Sequence, residues 1–468
     1  MRRRATPGRA LLAGVLLAGA LLAGACSPLP APAGPSSEQV FEAVKPAVVI
    51  VETDDAVTWS VPQPMLTAAR EQQLRSRLQA MVRAGQVANT QAAIGQAAVR
   101  LLVDSPDAWF ARGTQRHEET DSILSLGTGF FITQDGYLLT NDHVVELPAD
   151  EVRQELLDEL HRASADPAQV AAFRDEMSRS LGVPFADDQA ARLFQWMVGV
   201  FTADLQVASV RPSYRIGFGS TAIGDIARQG TPVQLVAHGA TSPGRDVAVL
   251  RAAGGPYVSL TVATAAPAAG AALSVVGYPC RCGDDGSPPD LTHVLTPVLT
   301  QGTARERVPM SGGWTALGTD AHIERGNSGG PVLDGAGDVV GLATFTAEIQ
   351  AGVPQSFAVP IDVASQLARQ AHVRPVQGTL GKEYAQAVSA YQRQRYSDAL
   401  PLFRAVAAHT HDGYAQRYVL LSERAIARGE DRTLPPLVDA LPAVAGVLAG
   451  AVLATLLALG LLIRLRTR

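Results

Sequence analysis

The sequence is short of lysine, cysteine and aromatic residues, and these shortages narrow what it can do. Lys45 and Lys382 are its two lysines, so arginine supplies almost all of the 39 basic side chains. With alanine so abundant, that imbalance reads as coding bias. The net charge is −5 over 468 residues, aromatic residues make up 5%, and no basic stripe with interleaved rings occurs, which speaks against nucleic acid as a partner. Of the three cysteines, Cys280 and Cys282 stand one residue apart. That spacing is strained for a disulfide and narrower than metal ligands normally use, so both are expected to be packed or free thiols, with no metal site. What the chain does have is hydrophobic side chains, 47% of the total. These suffice for a substantial core in one large or two ordinary domains and exclude a disordered protein.

Both ends suggest export. "MRRRATPGRALLAGVLLAGALLAGAC" has a basic start, an apolar stretch and a small-residue triplet, so residues 1–25 read as a signal peptide. Cys26 is then either the acylated cysteine of a bacterial lipoprotein or an incidental residue beside a cleavage point. Residues 441–463, "LPAVAGVLAGAVLATLLALGLLI", are uncharged and long enough to cross a bilayer as a helix. A buried core helix would be neither so long nor so uniformly apolar. The tail "RLRTR" favours the cytoplasmic side, so the expected location is the cell membrane, with the bulk of the chain on the extracytoplasmic face.

Between the ends the pattern is mainly β. "FEAVKPAVVIVET" has a β-branched run that predicts a strand. Residues 64–106 turn helical, with Leu74, Leu78 and Met81 on one face and Ile94, Ala98 and Leu101 on the next. Strand signals resume in "GTGFFITQDGYLLTNDHVV", where Asp135-Gly136 makes a two-residue hairpin turn. Residues 148–203 are helical again, through Val152, Leu156 and Leu160, then Val170, Phe173, Met177 and Leu181, with Gly182 as a C-cap. From 204 to 360 short strands alternate with Gly, Pro, Asp and Ser, the signature of a barrel or sandwich. The segment 381–430 is helical, and its Ala387, Tyr391, Tyr396, Ala399 and Phe403 are spaced as in a tetratricopeptide helix pair. One repeat is present where arrays need three or more. A helical stalk packing on the core or on a sister chain is the conservative expectation.

The chemistry gathers around "RGNSGGPVLDGAGDVVG", residues 325–341. A hydroxyl is a poor nucleophile unless a base removes its proton, and the oxyanion that results needs preorganised donors. Glycines around Ser328 leave the N–H groups of Gly326 and Ser328 free to aim into one pocket. His143 follows a full strand-turn-strand unit in "TNDHVV", and Asp246 opens an apolar strand in "GRDVAVLRA". Alone, each reads as a structural residue. Together, the order His143, Asp246, Ser328 is that of the chymotrypsin-like triad and not of the subtilisin or α/β-hydrolase triads.

On "GTGFFITQDGYLLTNDHVV", "DVAVLRA", "VVGYP", "GTDAHIERGNSGGPVLDGAGDVVGLAT" and "QSFAVPI", residues 38–372 resemble a trypsin-like serine protease of the HtrA (Deg) type. The resemblance implies a chymotrypsin-like double β-barrel, each barrel six-stranded, with the site between the barrels. It further implies His143 as general base, Asp246 orienting it, Ser328 as nucleophile, and the Gly326 and Ser328 amides as oxyanion hole. Peptide bonds of proteins are the implied substrate, with no cofactor and no metal. Digestive relatives carry an aspartate before the nucleophile; Asn327 cannot form its ion pair with a new N-terminus, so activation by that route is not expected. Family members are often trimers, which makes a homo-oligomer an expectation.

Three departures stand out. His143 and Asp246 are 103 residues apart, because the helices of 148–203 intervene, and such a long connection points to a gating or docking role. The 381–430 segment occupies the place where a PDZ domain usually follows. His322, six residues before the serine, replaces the acidic pocket floor of basic-specific proteases, and Phe357, Ala358 and Val359 are candidates to line a pocket for small aliphatic side chains. His322 could instead tilt preference toward acidic ones. The leading expectation is a membrane-tethered serine endopeptidase, in protein quality control or stress response. Its rival is a catalytically weak protease fold that binds or signals through its helices.

Overall fold

A computed structural model describes residues 34–280, 290–350, 353–410 and 413–433, with Ala451 and Thr455. The expected signal peptide (1–25), Cys26, and the expected membrane helix (441–463) apart from those last two residues lie outside this set. Among the described residues no helix is long and apolar enough to cross a membrane.

The chain enters through helix α1 (Ser37–Val44), and the β-branched run of "FEAVKPAVVIVET" lies in the strand that follows it. Ser36 and Gln39 form a reciprocal capping box that starts the helix and overrides the β-branched residues inside it. Strand β1 (Val48–Leu66) follows. With β2 (Phe110–Phe131), β3 (Tyr137–Thr140), β4 (Gln206–Phe218), β5 (Thr231–His238) and β6 (Ala248–Ala252) it closes a first barrel in the order β1-β2-β3-β6-β5-β4. The alternation of side chains along a strand decides what each residue covers. Val49 and Val51 join Phe131, Leu138 and Leu250 inside the barrel, while Val48 and Ile50 face the core shared with the second barrel.

Strands β1, β2 and β4 continue beyond the barrel as a ribbon. Pairing runs from Val48↔Phe130 to Leu66↔Phe110 on one side of β1 and from Val49↔Phe218 to Ser60↔Gln206 on the other. Residues 54–66 and 110–126 are therefore strand, longer than the sequence suggested. Helices α2 (Ala68–Arg83) and α3 (Gln91–Asp104) fill the connection at the ribbon's tip. Helices α4 (Ala149–Ala165), α5 (Pro167–Leu181) and α6 (Asp187–Phe201) form the second insertion. Val152 and Leu156 of α4 pack on Val57, Trp59 and Ile123 of the ribbon, which gives the ribbon a covered apolar face.

The second barrel runs β8-β9-β12-β11-β10-β7, with β7 (Ala272–Gly277), β8 (Val298–Pro309), β9 (Thr315–Thr319), β10 (Pro331–Leu333), β11 (Val339–Gln350) and β12 (Val353–Pro360). Helix α7 (Ile361–Gln370) leads to α8 (Thr379–Gln392), α9 (Tyr396–Ala407) and α10 (Tyr414–Ala427). These last helices share one buried cluster with α1 and both barrels, through Tyr384, Ala387, Ala399 and Phe403. Gly378 N–H donates to Ser259 Oγ at 2.9 Å, and the Tyr418 hydroxyl donates to Glu42 of α1. The helical segment thus packs on the barrels of its own chain.

Cys280 is disulfide-bonded, which corrects the expectation of a free thiol. Cys26 and Cys282 both lie outside the described residues, so its partner does too. The oxidising surroundings expected of an exported chain let such a bond persist.

Candidate active site

The three predicted side chains reach one place from separate elements. His143 sits on the one-turn helix Asp142–Val145 just past β3, Asp246 precedes β6, and Ser328 lies in the turn between β9 and β10. His143 Nδ1 is 2.8 Å from Asp246 Oδ2, and the backbone N–H of His143 donates to Asp246 Oδ1 at 3.0 Å. Thr344 of β11 donates its hydroxyl to the same Oδ2, and Asn141 Nδ2 donates to the Asp246 carbonyl at 2.6 Å. Asp246 is 1% exposed, while His143 keeps 37% of its side chain open to the cleft.

This arrangement fixes charge states. Burial disfavours ionised Asp246, but the hydrogen bond and charge of His143, together with the Thr344 hydroxyl and the His143 N–H, hold its carboxyl below the ordinary value. Burial likewise disfavours the His143 imidazolium; the hydrogen bond and charge of Asp246, aided by the charges of Asp142 and Glu151, raise it above the ordinary 6.5. The imidazole is thereby a stronger base than a free histidine.

The Ser328 hydroxyl donates to the Thr344 carbonyl at 3.0 Å, so Thr344 holds both Asp246 and Ser328. In the turn, Asn327 N–H is taken by Glu324, Gly329 N–H by Ala343 and Gly330 N–H by Asn327. Among the described residues the N–H groups of Gly326 and Ser328 have no such acceptor. The Arg325 carbonyl accepts from Cys280 N–H at 2.8 Å. Because C=O and N–H of one peptide point oppositely, this turns Gly326 N–H away from Cys280. The two amides expected to form the oxyanion hole are the two left unspent.

Gly326 and Gly329 have φ of +90° and +84°, and a Cβ on Gly326 would lie 2.3 Å from the Tyr278 carbonyl. Gly326→Ala therefore must displace one of those amides, and kcat on a peptide substrate is expected to fall by about 10²- to 10³-fold with KM little changed.

Residues 127–342 match the family model of the trypsin-like peptidase domain. The chain is 25% identical over 274 residues to a probable periplasmic serine endoprotease DegP-like from Rhizobium meliloti, covering 56% of this chain and 36% of that protein. It is 35% identical over 91 residues to the serine endoprotease DegS of Haemophilus influenzae, covering 18% and 26%. Residues 127–342 are thus similar to the trypsin-like peptidase domain, and the curated relatives that match are HtrA-type serine endoproteases. It spans well under half the length of these curated relatives. A solved serine endoprotease from Yersinia pestis aligns at 15% identity and a TM-score of 0.33, covering 72% of this chain and 67% of that one.

Within this trypsin-like region the sequence pattern gives no sign of Thr128, which binds one barrel to the other. Its N–H donates to the Ser328 carbonyl at 2.8 Å, its hydroxyl donates to the Gly326 carbonyl at 2.6 Å, and that hydroxyl accepts from Tyr278 N–H at 3.0 Å. Thr128 thus holds Gly326 and Ser328 from β2. The candidate pocket residues lie in different surroundings. His322 is largely exposed and pairs with Glu324 at 3.1 Å. Phe357 and Val359 lie in the core between the barrels, and Ala358 lies inside the second barrel, as strand alternation requires.

Proposed function

We propose that the domain is a serine endopeptidase that hydrolyses peptide bonds of proteins through an acyl-enzyme. The observation that carries this reading is the His143–Asp246 pair beside a serine whose turn leaves two amides unspent. On substrate binding, Ser328 Oγ rotates off the Thr344 carbonyl toward His143 and attacks the scissile carbonyl. His143 takes the hydroxyl proton and returns it to the leaving amine, while Asp246 holds Nδ1–H and favours the imidazolium that forms between the two steps. The Gly326 and Ser328 N–H groups receive the developing oxyanion. The names of the curated relatives and the expected signal peptide support an extracytoplasmic place of action. The apolar run at 441–463 supports tethering to the membrane. Quality control of damaged proteins is the role that fits those features.

A fluorophosphonate probe is expected to label Ser328, at a rate that rises with pH as His143 loses its proton. Because His143 is held above the ordinary 6.5, the half-maximal rate falls above that pH. Absence of labelling at every pH would leave the rival reading, a protease fold that works as a binding module.

A further inference from the structure

Away from the triad, three side chains converge beside the first barrel. His238, the last residue of β5, has Nδ1 3.0 Å from Asp142 Oδ1 and 2.9 Å from Glu146 Oε2. One donor atom of each lies within 4.8 Å of the others. Asp142 is 3% exposed and so is fixed, whereas His238 and Glu146 remain 41% and 54% exposed and open to solvent.

A third carboxylate stands behind them. Thr53 and Asp55 share one face of β1, and Thr53 Oγ1 donates to the Val144 carbonyl at 2.7 Å, so that face meets the helix between Asp142 and Glu146. Asp55 is 2% exposed and its Oδ2 has no hydrogen-bond partner. Among the described residues, no lysine or arginine pairs with Asp55, Asp142 or Glu146. The unpartnered oxygen of buried Asp55 is costly, and three carboxylates to one imidazole leave negative charge in excess.

A hydrogen-bonded imidazole does not resolve the geometry. Its single Nδ1–H cannot serve both carboxylates fully, although both are within bonding distance. Two ligands held at right angles, each about 2.1 Å from a metal ion, are roughly 3 Å apart, close to the spacing seen here. We propose that His238 Nδ1, Asp142 Oδ1 and Glu146 Oε2 bind one divalent cation that accepts mixed nitrogen and oxygen ligands, Zn²⁺ or Mn²⁺, with Asp55 compensating its charge from behind. The ion takes no part in peptide-bond chemistry. It ties β5 to the helix that carries His143, and its presence does not depend on the proposed proteolysis.

The test is calorimetric titration of the chelator-treated full chain with ZnCl₂ and, separately, MnCl₂. One ion per chain is expected for at least one metal, with a higher melting temperature, and affinity at least tenfold weaker in Glu146→Gln and in His238→Ala. Both positions are substantially exposed, so the variants are expected to fold, which circular dichroism checks. X-ray absorption of the loaded wild-type chain is expected to show nitrogen and oxygen but no sulfur around the metal, and it tests the ligand set without any variant. No saturable binding of either metal, binding unchanged in both variants, or sulfur in the metal's shell would overturn the proposal.

Discussion

Ser328→Ala is expected to lower kcat on any peptide substrate by about 10⁶-fold, since removal of the nucleophile of a triad costs that much while binding survives. This corresponds to about 8 kcal/mol in activation free energy. The fold is expected to persist. The lost hydroxyl makes one hydrogen bond, to the Thr344 carbonyl, and such a bond contributes about 1 kcal/mol net. Near-ultraviolet circular dichroism and the melting temperature check that point, and single-turnover hydrolysis reads the activity. A variant that kept more than a thousandth of wild-type kcat would show that Ser328 is not the attacking group.

Asp246→Asn is expected to lower kcat by about 10⁴-fold, for a reason readable from its partners. The Oδ2 atom accepts from His143 Nδ1–H and the Thr344 hydroxyl, while Oδ1 accepts from the His143 backbone N–H. An asparagine must put its NH₂ group at one of those two places. Facing the backbone N–H, it would set donor against donor with no freedom to adjust. Facing Nδ1, it needs only that the Thr344 hydroxyl turn and that the imidazole move its proton to Nε2. The second arrangement costs less, and it leaves Nε2 unable to accept from Ser328. Raising the pH ionises Nε2–H no more readily, so activity stays low across the neutral range. Recovery of wild-type kcat at pH 8 would contradict this account.

The parts of the site legible in the sequence are those whose chemistry is local. Ser328 stands among glycines, His143 follows a hairpin, and Asp246 opens an apolar strand, so residue type and order sufficed. Thr128 and Thr344 were hidden because a threonine in a strand is ordinary. Their importance lies in what they touch across 198 and 98 residues of chain, and no local pattern records that. The helices of 148–203 were visible by period, whereas 54–66 and 110–126 were not seen as strands. Much of the ribbon they form is exposed on one or both faces, so its hydrophobic alternation is weak. Phe357 to Val359 are consecutive in a strand, which sends Phe357 and Val359 to one side and Ala358 to the other.

The bonds from Thr128 to the Gly326 and Ser328 carbonyls have a consequence for how the molecule comes into being. They close loops of about two hundred residues, so they are non-local contacts that tie the two barrels' folding together. A chain with the first barrel formed holds a paired histidine and no nucleophile; one with the second barrel alone holds a serine and no base. The proposed proteolytic capacity therefore needs both barrels folded and docked, and neither barrel alone would carry it.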